Sequence, residues 1–394
     1  MESIDIPNGV TSIGGSAFEE CISLVSIETP NSVTSIGNGA FADCISLESA
    51  IINSGAIGER VFKECTSLKT LTIGNGVTKI GKDCLPSDNT IINIKDIAAW
   101  CNTELPYQLY NQVLFNGQEI IDLVIPEGVT SIKDYTLNFA YKKGYTGYDL
   151  PIKSVTIPGS VTEIEKYAIN SSSIHIKDLA AWCKIKLENK ILDNTKLYLN
   201  DKEITDLIIP DNITSINRYT FQGCPSLTSV TIPESVKEIS IESFQNCTSL
   251  KSAHLGNGIS LINDYTFFGC SSLTSVTIPE NITSIGSCAF FGCSSLTSVT
   301  IPENVTSIGS GAFNNCSSLT SITIPKNVSE ISVDDFEGCS SLKEVYSYMK
   351  LPPKSPTGLG RIFNGCTLYI PKNCKAKYSE ANWSSYFSNI IEMD

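Results

Sequence analysis

The sequence predicts an α/β repeat solenoid rather than a set of globular domains. A chain of 394 residues ordinarily suggests two or three domains, but this one repeats itself at a period of 23 residues. Each period carries apolar residues at the spacing L-x-x-V-x-I, closed by a proline. Since no unit of this length can bury both of its faces alone, neighbouring units must stack around one continuous core.

The first part of each unit predicts a short strand. Leu273, Val276 and Ile278 follow the spacing of a leucine-rich repeat, which places them on the inner side of the strand. Ser275 and Thr277 alternate with them and are expected to point outward. The proline that follows has no backbone N–H to donate and therefore ends the strand.

The rest of the unit predicts a second strand and a helical turn. Residues 282–285 alternate again, and Gly286 permits the turn after them. Ala289, Phe290 and Cys293 then follow at helical spacing, which favours one turn of α- or 3-10 helix. The predicted fold is thus a curved, right-handed leucine-rich-repeat superhelix over 1–394, with a parallel concave sheet, short convex strands and short helical turns.

A phenylalanine recurs in the turn of most units, and a cysteine follows it by three residues. The phenylalanines predict an internal ladder made of Phe18, Phe41, Phe62, Phe221, Phe244, Phe267, Phe290, Phe313 and Phe336. The cysteines predict a buried column made of Cys21, Cys44, Cys65, Cys224, Cys247, Cys270, Cys293, Cys316, Cys339 and Cys366. No C-x-x-C pair occurs, and 15 cysteines are too few for a disulfide scaffold of this size. We therefore expect neither a metal site nor a disulfide framework.

Three departures interrupt the repeat, and a C-terminal segment closes it. Two longer units, near 94–125 and 176–209, each contain an Ala-Ala-Trp-Cys sequence whose tryptophans, Trp100 and Trp182, are expected to anchor the core. The third departure is an insertion over 138–151. Residues 348–394 are expected to cap the last unit.

The insertion and the outward strand positions supply the candidate binding residues. In the loop, tyrosine and lysine interleaved with glycine can provide stacking area and charge, although a solvated loop without a ligand is an open alternative. On the strands, most outward-facing positions are serine or threonine, and a few other residues interrupt them. The candidate residues are Tyr141, Lys142, Lys143, Tyr145 and Tyr148 in the loop and His175, Asp206, His254, Glu344 and Tyr346 on the strands.

Charge and composition exclude several classes of function. With 28 basic and 41 acidic residues, the net charge is −13, which disfavours nucleic acid and anionic membranes as partners. No apolar run approaches the roughly 20 residues that span a bilayer. The two histidines, His175 and His254, lie more than three units apart and cannot share a catalytic site, and no phosphate-binding glycine loop follows a strand. We expect no enzyme activity and no cofactor.

The unit I-P-x-x-V-T-S-I-G-x-x-A-F-x-x-C-x-S-L resembles the BspA-like leucine-rich-repeat proteins, which are found chiefly on bacterial surfaces. The segment from Asp178 to Cys183 and the C-terminal segment from Cys366 to Ile390 are also similar to units of that family. The resemblance implies adhesion to a protein of a host or of a neighbouring cell, and residence on the cell surface or secretion. No signal peptide precedes the first unit, so we expect that an export segment was trimmed.

Two further functions stay open at this point. The outward serine and threonine face could capture a carbohydrate, with Tyr346, Tyr369 and the loop tyrosines as stacking platforms. A regular threonine column could also order water or ice, although His254 and Tyr346 interrupt it.

Overall fold

The structure, a computed structural model, describes residues 3–87, 89–139, 141–142, 148–149, 152–191, 195–329, 331, 333–353 and 363–394. The chain forms two compact units. Unit 1 comprises Met1–Asp178 and Leu187–Ile191, and unit 2 comprises Leu179–Lys186 and Leu192–Asp394. The predicted single solenoid over 1–394 stays a prediction.

The described residues of unit 1 contain two series of strands, a helix and, in the insertion, a hairpin. The inward-packing first series is Ser3–Asp5, Ser26–Thr29, Ser49–Ile57, Thr70–Ile80, Ile91–Ile94, Val113–Phe115, Gln118–Glu119, Asp122–Val124, Ser154–Ile157 and Ser173–Ile176. The second series is Ser12–Ile13, Ser35–Ile36, Ser131–Ile132 and Glu163–Ile164. Leu187 of this unit belongs to the two-residue strand Lys186–Leu187. The hairpin pairs Tyr141–Lys142 with Tyr148–Asp149, and the helix is Ile97–Cys101.

Unit 2 repeats the same arrangement. Its first series is Lys196–Leu199, Lys202–Glu203, Asp206–Ile208, Ser229–Ile232, Ser252–Leu255, Ser275–Thr277, Ser298–Thr300, Ser321–Ile324, Glu344–Ser347, Phe363–Pro371 and Phe387–Met393. Its second series is Ser215–Ile216, Glu238–Ile239, Leu261–Ile262, Ser284–Ile285 and Ser307–Ile308. The α-helices are Leu179–Lys184 and Lys375–Glu380, and the 3-10 helices are Val333–Phe336 and Trp383–Ser385.

Within each compact unit, the strands of successive 23-residue repeats pair in parallel and in register, which confirms the predicted repeat solenoid. In unit 2, for example, Ala253 lies opposite Val276 and His254 opposite Thr277. Ala253 is buried whereas His254 is exposed, because alternate residues of a strand point to opposite faces. The apolar positions of each repeat therefore point into the core, and the serine and threonine positions face outward.

The segment around Phe290 differs from the predicted helical turn. Alternate backbone N–H groups donate to the next repeat: that of Phe290 to the carbonyl of Ala312 at 2.8 Å, and that of Gly292 to Asn314 at 2.8 Å. The N–H groups between them donate within the segment, to the carbonyl three residues earlier. The corresponding segment at Val333–Phe336 is a 3-10 helix. Stacking thus offers these donors partners that a short helix, with its unpaired first turn, cannot provide.

The phenylalanine ladder is confirmed within each unit. The rings of Phe267 and Phe290 lie 5.5 Å apart at 9°, and those of Phe290 and Phe313 lie 5.5 Å apart at 6°. Phe41 and Phe62 in unit 1 stack at 5.8 Å. The shared position places each ring on the preceding one at little more than the spacing between strands.

The cysteine column is confirmed for the turn segments, with one exception. The thiol of Cys293 donates to the carbonyl of Phe267 at 3.3 Å, and that of Cys316 to Phe290 at 3.2 Å. All 15 cysteines are free thiols. Placing Cys366 in this column was wrong: it lies inside the strand Phe363–Pro371, where no turn follows the phenylalanine.

The tryptophans anchor the core, as predicted. The indole N–H of Trp100 donates to the carbonyl of Thr136 at 2.6 Å in unit 1, and that of Trp182 donates to Thr220 at 2.9 Å in unit 2. Both side chains are buried. Each of the two longer repeats therefore buries an indole whose N–H is hydrogen-bonded.

Candidate interaction surface

Two columns of outward side chains run along the first strand series of unit 2. From Asp206 onward, these strands form two sheets, one ending at Ser275–Thr277 and the next beginning at Ser298–Thr300. Within each sheet, parallel pairing brings equivalent residues next to each other on adjacent strands, about 4.8 Å apart. The first column is Asp206, Ser229, Ser252, Ser275, Ser298, Ser321, Glu344 and Thr367, and the second is Ile208, Thr231, His254, Thr277, Thr300, Thr323, Tyr346 and Tyr369. Among the predicted site residues, Asp206 lies at the start of these columns, His254 in the middle, and Glu344 and Tyr346 near the end. Most of the other positions are serine or threonine.

Asp206 is held in place by hydroxyl groups at one end of this surface. Its carboxylate accepts hydrogen bonds from Ser229 at 2.6 Å and from Thr228 and Thr205 at 3.2 Å. These bonds favour the charged form and lower the pKa of Asp206. Beside it, Ile208 is 71% exposed, so a fixed negative charge and an apolar side chain stand together.

His254 lies two strands from Asp206 in the same sheet. Its backbone pairs with Thr231 on one side and Thr277 on the other. The imidazole is exposed and stands between short hydroxyl side chains. It therefore projects above its neighbours as a separate feature of the surface.

Glu344, Tyr346 and Tyr369 form a single cluster, which we call the tyrosine cluster. The two phenol rings are parallel, 4.6 Å apart at 9°. The hydroxyl of Tyr346 donates to Glu344 Oε2 at 3.0 Å, and that of Tyr369 donates to Oε1 at 3.4 Å. Partial burial and the carboxylate of Glu344 raise the pKa of Tyr346. The cluster is thus an ordered aromatic pair with a carboxylate fixed beneath its polar ends.

The remaining predicted residues belong to unit 1. The Nε2 atom of His175 lies 3.5 Å from the hydroxyl of Ser173, on the outward face of the strand Ser173–Ile176. In the insertion, the backbone of Tyr141 and Lys142 pairs with that of Asp149 and Tyr148. Lys143 and Tyr145 lie outside the described residues. A joint site formed by the loop and the strand residues stays a prediction.

Unit 1 contains a cavity of about 430 Å³ that the sequence did not predict. It is lined by the ends of the second-series strands, by Asn38, Gly58 and Lys82, and by the ion pair between Lys79 and Glu104, whose charged atoms are 3.3 Å apart. The signal in the sequence is a glycine at one position of four successive units. Two of these glycines, Gly58 and Gly81, line the cavity, although a neighbouring turn packs against each of them too closely to admit a Cβ atom.

Two searches of the described residues gave negative results. No three histidine, cysteine, aspartate or glutamate side chains in the described part of the chain converge as a metal site would require. None of the helices among these residues has the length and apolar character that crossing a membrane demands.

One family model matches most of the chain. The model, described as BspA type leucine rich repeat region, matches in six copies over residues 1–113, 108–198, 194–316 and 260–375. The search of curated proteins found no match.

Several solved structures are similar to this chain. A leucine-rich repeat protein from Bacteroides ovatus is 24% identical over 100% of this chain and 92% of its own, with a TM-score of 0.46. A leucine rich cell surface protein from Faecalibacterium prausnitzii is 24% identical over 88% of each chain, with a TM-score of 0.40. The pneumococcal vaccine antigen PcpA is 18% identical over 98% of this chain and 85% of its own, with a TM-score of 0.45.

Proposed function

Because the chain belongs to the BspA-type leucine-rich-repeat family, we propose that it is a non-enzymatic surface or secreted bacterial protein that binds another protein. The stacked scaffold supports this proposal, since it presents side chains in fixed rows over a long face. A repeat specifies the scaffold, and a few surface residues specify the partner. Adhesion to a host or neighbouring cell is the function that such binding would serve.

The tyrosine cluster is the observation that carries the proposal. Tyrosine is enriched at the centres of protein interfaces because its ring buries a large area while its hydroxyl keeps a hydrogen bond. Here Glu344 accepts from both Tyr346 and Tyr369, so the rings are ordered before a partner arrives. Such order reduces the entropy that binding must overcome. The hydroxyl rows beside the cluster, from Thr277 to Thr323, present only short side chains to a partner.

The test is capture of purified host matrix and cell-surface proteins on the immobilised protein. We expect the double variant Tyr346→Ala/Tyr369→Ala to weaken binding at least about tenfold, as loss of interface anchors does. The matched control is Thr277→Ala/Thr300→Ala on the same face, which removes only two hydroxyl groups. Equal binding by the wild type and the tyrosine variant would remove the cluster from the site.

The same assay tests the predicted loop. A Tyr141→Ala/Tyr145→Ala/Tyr148→Ala variant that binds as the wild type does would exclude the insertion. Surface location is tested separately, by antibody labelling of intact cells of the source organism. Labelling that requires permeabilised cells would contradict the proposed location.

Carbohydrate binding is the second candidate, and the ring geometry favours it. The rings of Tyr346 and Tyr369 are parallel and one strand spacing apart, so the face of each ring points toward a neighbouring strand. The free face of Tyr346 is therefore directed over Thr323, its neighbour in register. An aromatic face next to hydroxyl groups is suited to a sugar ring. A glycan array without signal above background would eliminate this candidate.

A further inference from the structure

The turn segments of unit 2 carry a partly exposed row of side chains on which the proposed function does not depend. The row occupies the position two residues before each buried phenylalanine: Tyr219, Glu242, Tyr265 and Cys288. All four have left-handed backbone, with φ between 52° and 64°. A bulky residue in this conformation is strained. Glycine is not, and the equivalent position of the next repeat is Gly311, with φ 69°. Tyrosine here is therefore a costly choice that its surface position must explain.

The first member of the row already holds a guanidinium group. The central carbon of the Arg218 guanidinium lies 4.4 Å from the ring centroid of Tyr219, in cation–π geometry. The same group donates to Glu242 Oε2 at 3.1 Å. An arginine is thus bound between an aromatic face and a carboxylate, within one surface of the protein.

Two 23-residue repeats further along the chain, the same local sequence has no arginine. Residues 217–221 read Asn-Arg-Tyr-Thr-Phe, and residues 263–267 read Asn-Asp-Tyr-Thr-Phe. Asp264 is exposed, and its Oδ1 accepts from the N–H of Ser287 at 2.7 Å. Within the described part of the chain, no lysine or arginine pairs with Asp264. The second site therefore has a ring and a carboxylate but no cation.

The aromatic surface at this second site is larger than at the first. Tyr265 is 36% exposed, and its ring centroid lies 5.8 Å from that of Phe268. Phe268 in turn stacks on Phe291 at 4.8 Å and 7°. Phe268 and Phe291 are partly exposed. We call these three residues the aromatic platform.

We propose that the aromatic platform and Asp264 bind an arginine side chain of a partner protein. The guanidinium would lie on the ring of Tyr265, as that of Arg218 lies on Tyr219. It would pair with Asp264, which occupies the position of Arg218 in the repeat, whereas Cys288 occupies the position of Glu242. The apolar stem of the arginine would cover Phe268 and Phe291. The net charge of −13 attracts a basic segment to this surface. The site is separate from the tyrosine cluster, so either proposal can fail without the other.

The probe is a fluorescein-labelled nonapeptide of alternating arginine and glycine, titrated with the full chain and followed by fluorescence anisotropy. We expect Tyr265→Ala to weaken binding about tenfold, because it removes the cation–π partner. Tyr265→Phe keeps the ring and should bind as the wild type does. Asp264→Asn should weaken binding, whereas Asp211→Asn, an exposed control with the same change in charge, should not.

A self-occluding variant gives an independent test. Asp264→Arg recreates the sequence around Arg218 and should place the new guanidinium on Tyr265, which would abolish peptide binding. Unaltered binding by Asp264→Arg would overturn the proposal. So would an equal effect of Asp264→Asn and Asp211→Asn, or equal affinity for a peptide of alternating glutamate and glycine. Circular dichroism verifies that each variant is folded, and Tyr346→Ala should leave peptide binding unchanged.

Discussion

A buried cysteine of the turn column is a hydrogen-bond donor rather than a nucleophile. The thiol of Cys65 donates to the carbonyl of Phe41 at 3.0 Å, and burial raises its pKa to about 12. Burial likewise raises the pKa of Cys84 to about 12. Since the thiolate is the reactive form, these residues are inert near neutral pH. They fill the core as small side chains that also satisfy a carbonyl group.

The raised thiol pKa values predict that stability falls at alkaline pH. Below about pH 9 both the folded and the unfolded chain keep the proton; between pH 9 and 12 the unfolded thiol loses it first, so unfolding is favoured as the pH rises. For Cys84, whose pKa is raised from 9.0 to about 12, the loss at pH 10.5 is about 2 kcal/mol. The measurement is the free energy of urea unfolding at pH 8 and at pH 10.5. Cys84→Ala should reduce the difference, and an identical pH dependence would contradict the assignment.

At the scale of elements, the approach of one turn to the next depends on a glycine after the second strand. In unit 1 this position is occupied by Gly14, Gly37, Gly58 and Gly81. A Cβ atom on Gly81 would lie 2.4 Å from the carbonyl of Gly58, which is closer than van der Waals contact allows. A Cβ atom on Gly14, in the first unit, would meet nothing within 4 Å.

This difference predicts unequal effects of one substitution at equivalent positions. Gly81→Ala should lower the free energy of unfolding by about 1–3 kcal/mol, because two backbone segments must separate. Gly14→Ala should change it by less than about 0.5 kcal/mol, as at an unconstrained surface position. Chemical denaturation of both variants measures the effect. Equal values for the two would show that backbone contact does not set the spacing of the units.

At the scale of the whole molecule, a solenoid must cover the open edge of its last strand. We predict that residues near the C-terminus of unit 2 do so. The strand Phe387–Met393 pairs with Phe363–Pro371, and Trp383 is buried with its indole N–H donating to the carbonyl of Pro353 at 2.8 Å. Tyr378 is buried against it, the two rings meeting edge to face at 5.8 Å.

Removal of residues 375–394 should therefore expose both a strand edge and an apolar surface. We expect the truncated protein to self-associate, since unpaired N–H and C=O groups are a template for another strand. Light scattering after size-exclusion chromatography measures the change against the full chain. A monodisperse truncated protein, at the same mass per chain as the full-length one, would show that the segment is not a cap.

The sequence by itself determined the repeat, the strand alternation, the phenylalanine ladder and most of the cysteine column. These features follow from local geometry, because a strand alternates every two residues and a stacked unit returns to the same position after each period. The prediction was wrong for Cys366, whose spacing from Phe363 matches the column although its backbone is a strand. Spacing alone does not reveal the backbone conformation of an atypical unit.

Only the tertiary structure decided which side chains meet across units. Glu344 and Tyr369 are 25 residues apart in sequence, yet register places both beside Tyr346. Arg218 likewise reaches Glu242, which lies 24 residues further along the chain. The physical reason is that register and rotamers result from the packing of many side chains at once, which no single unit of the sequence contains.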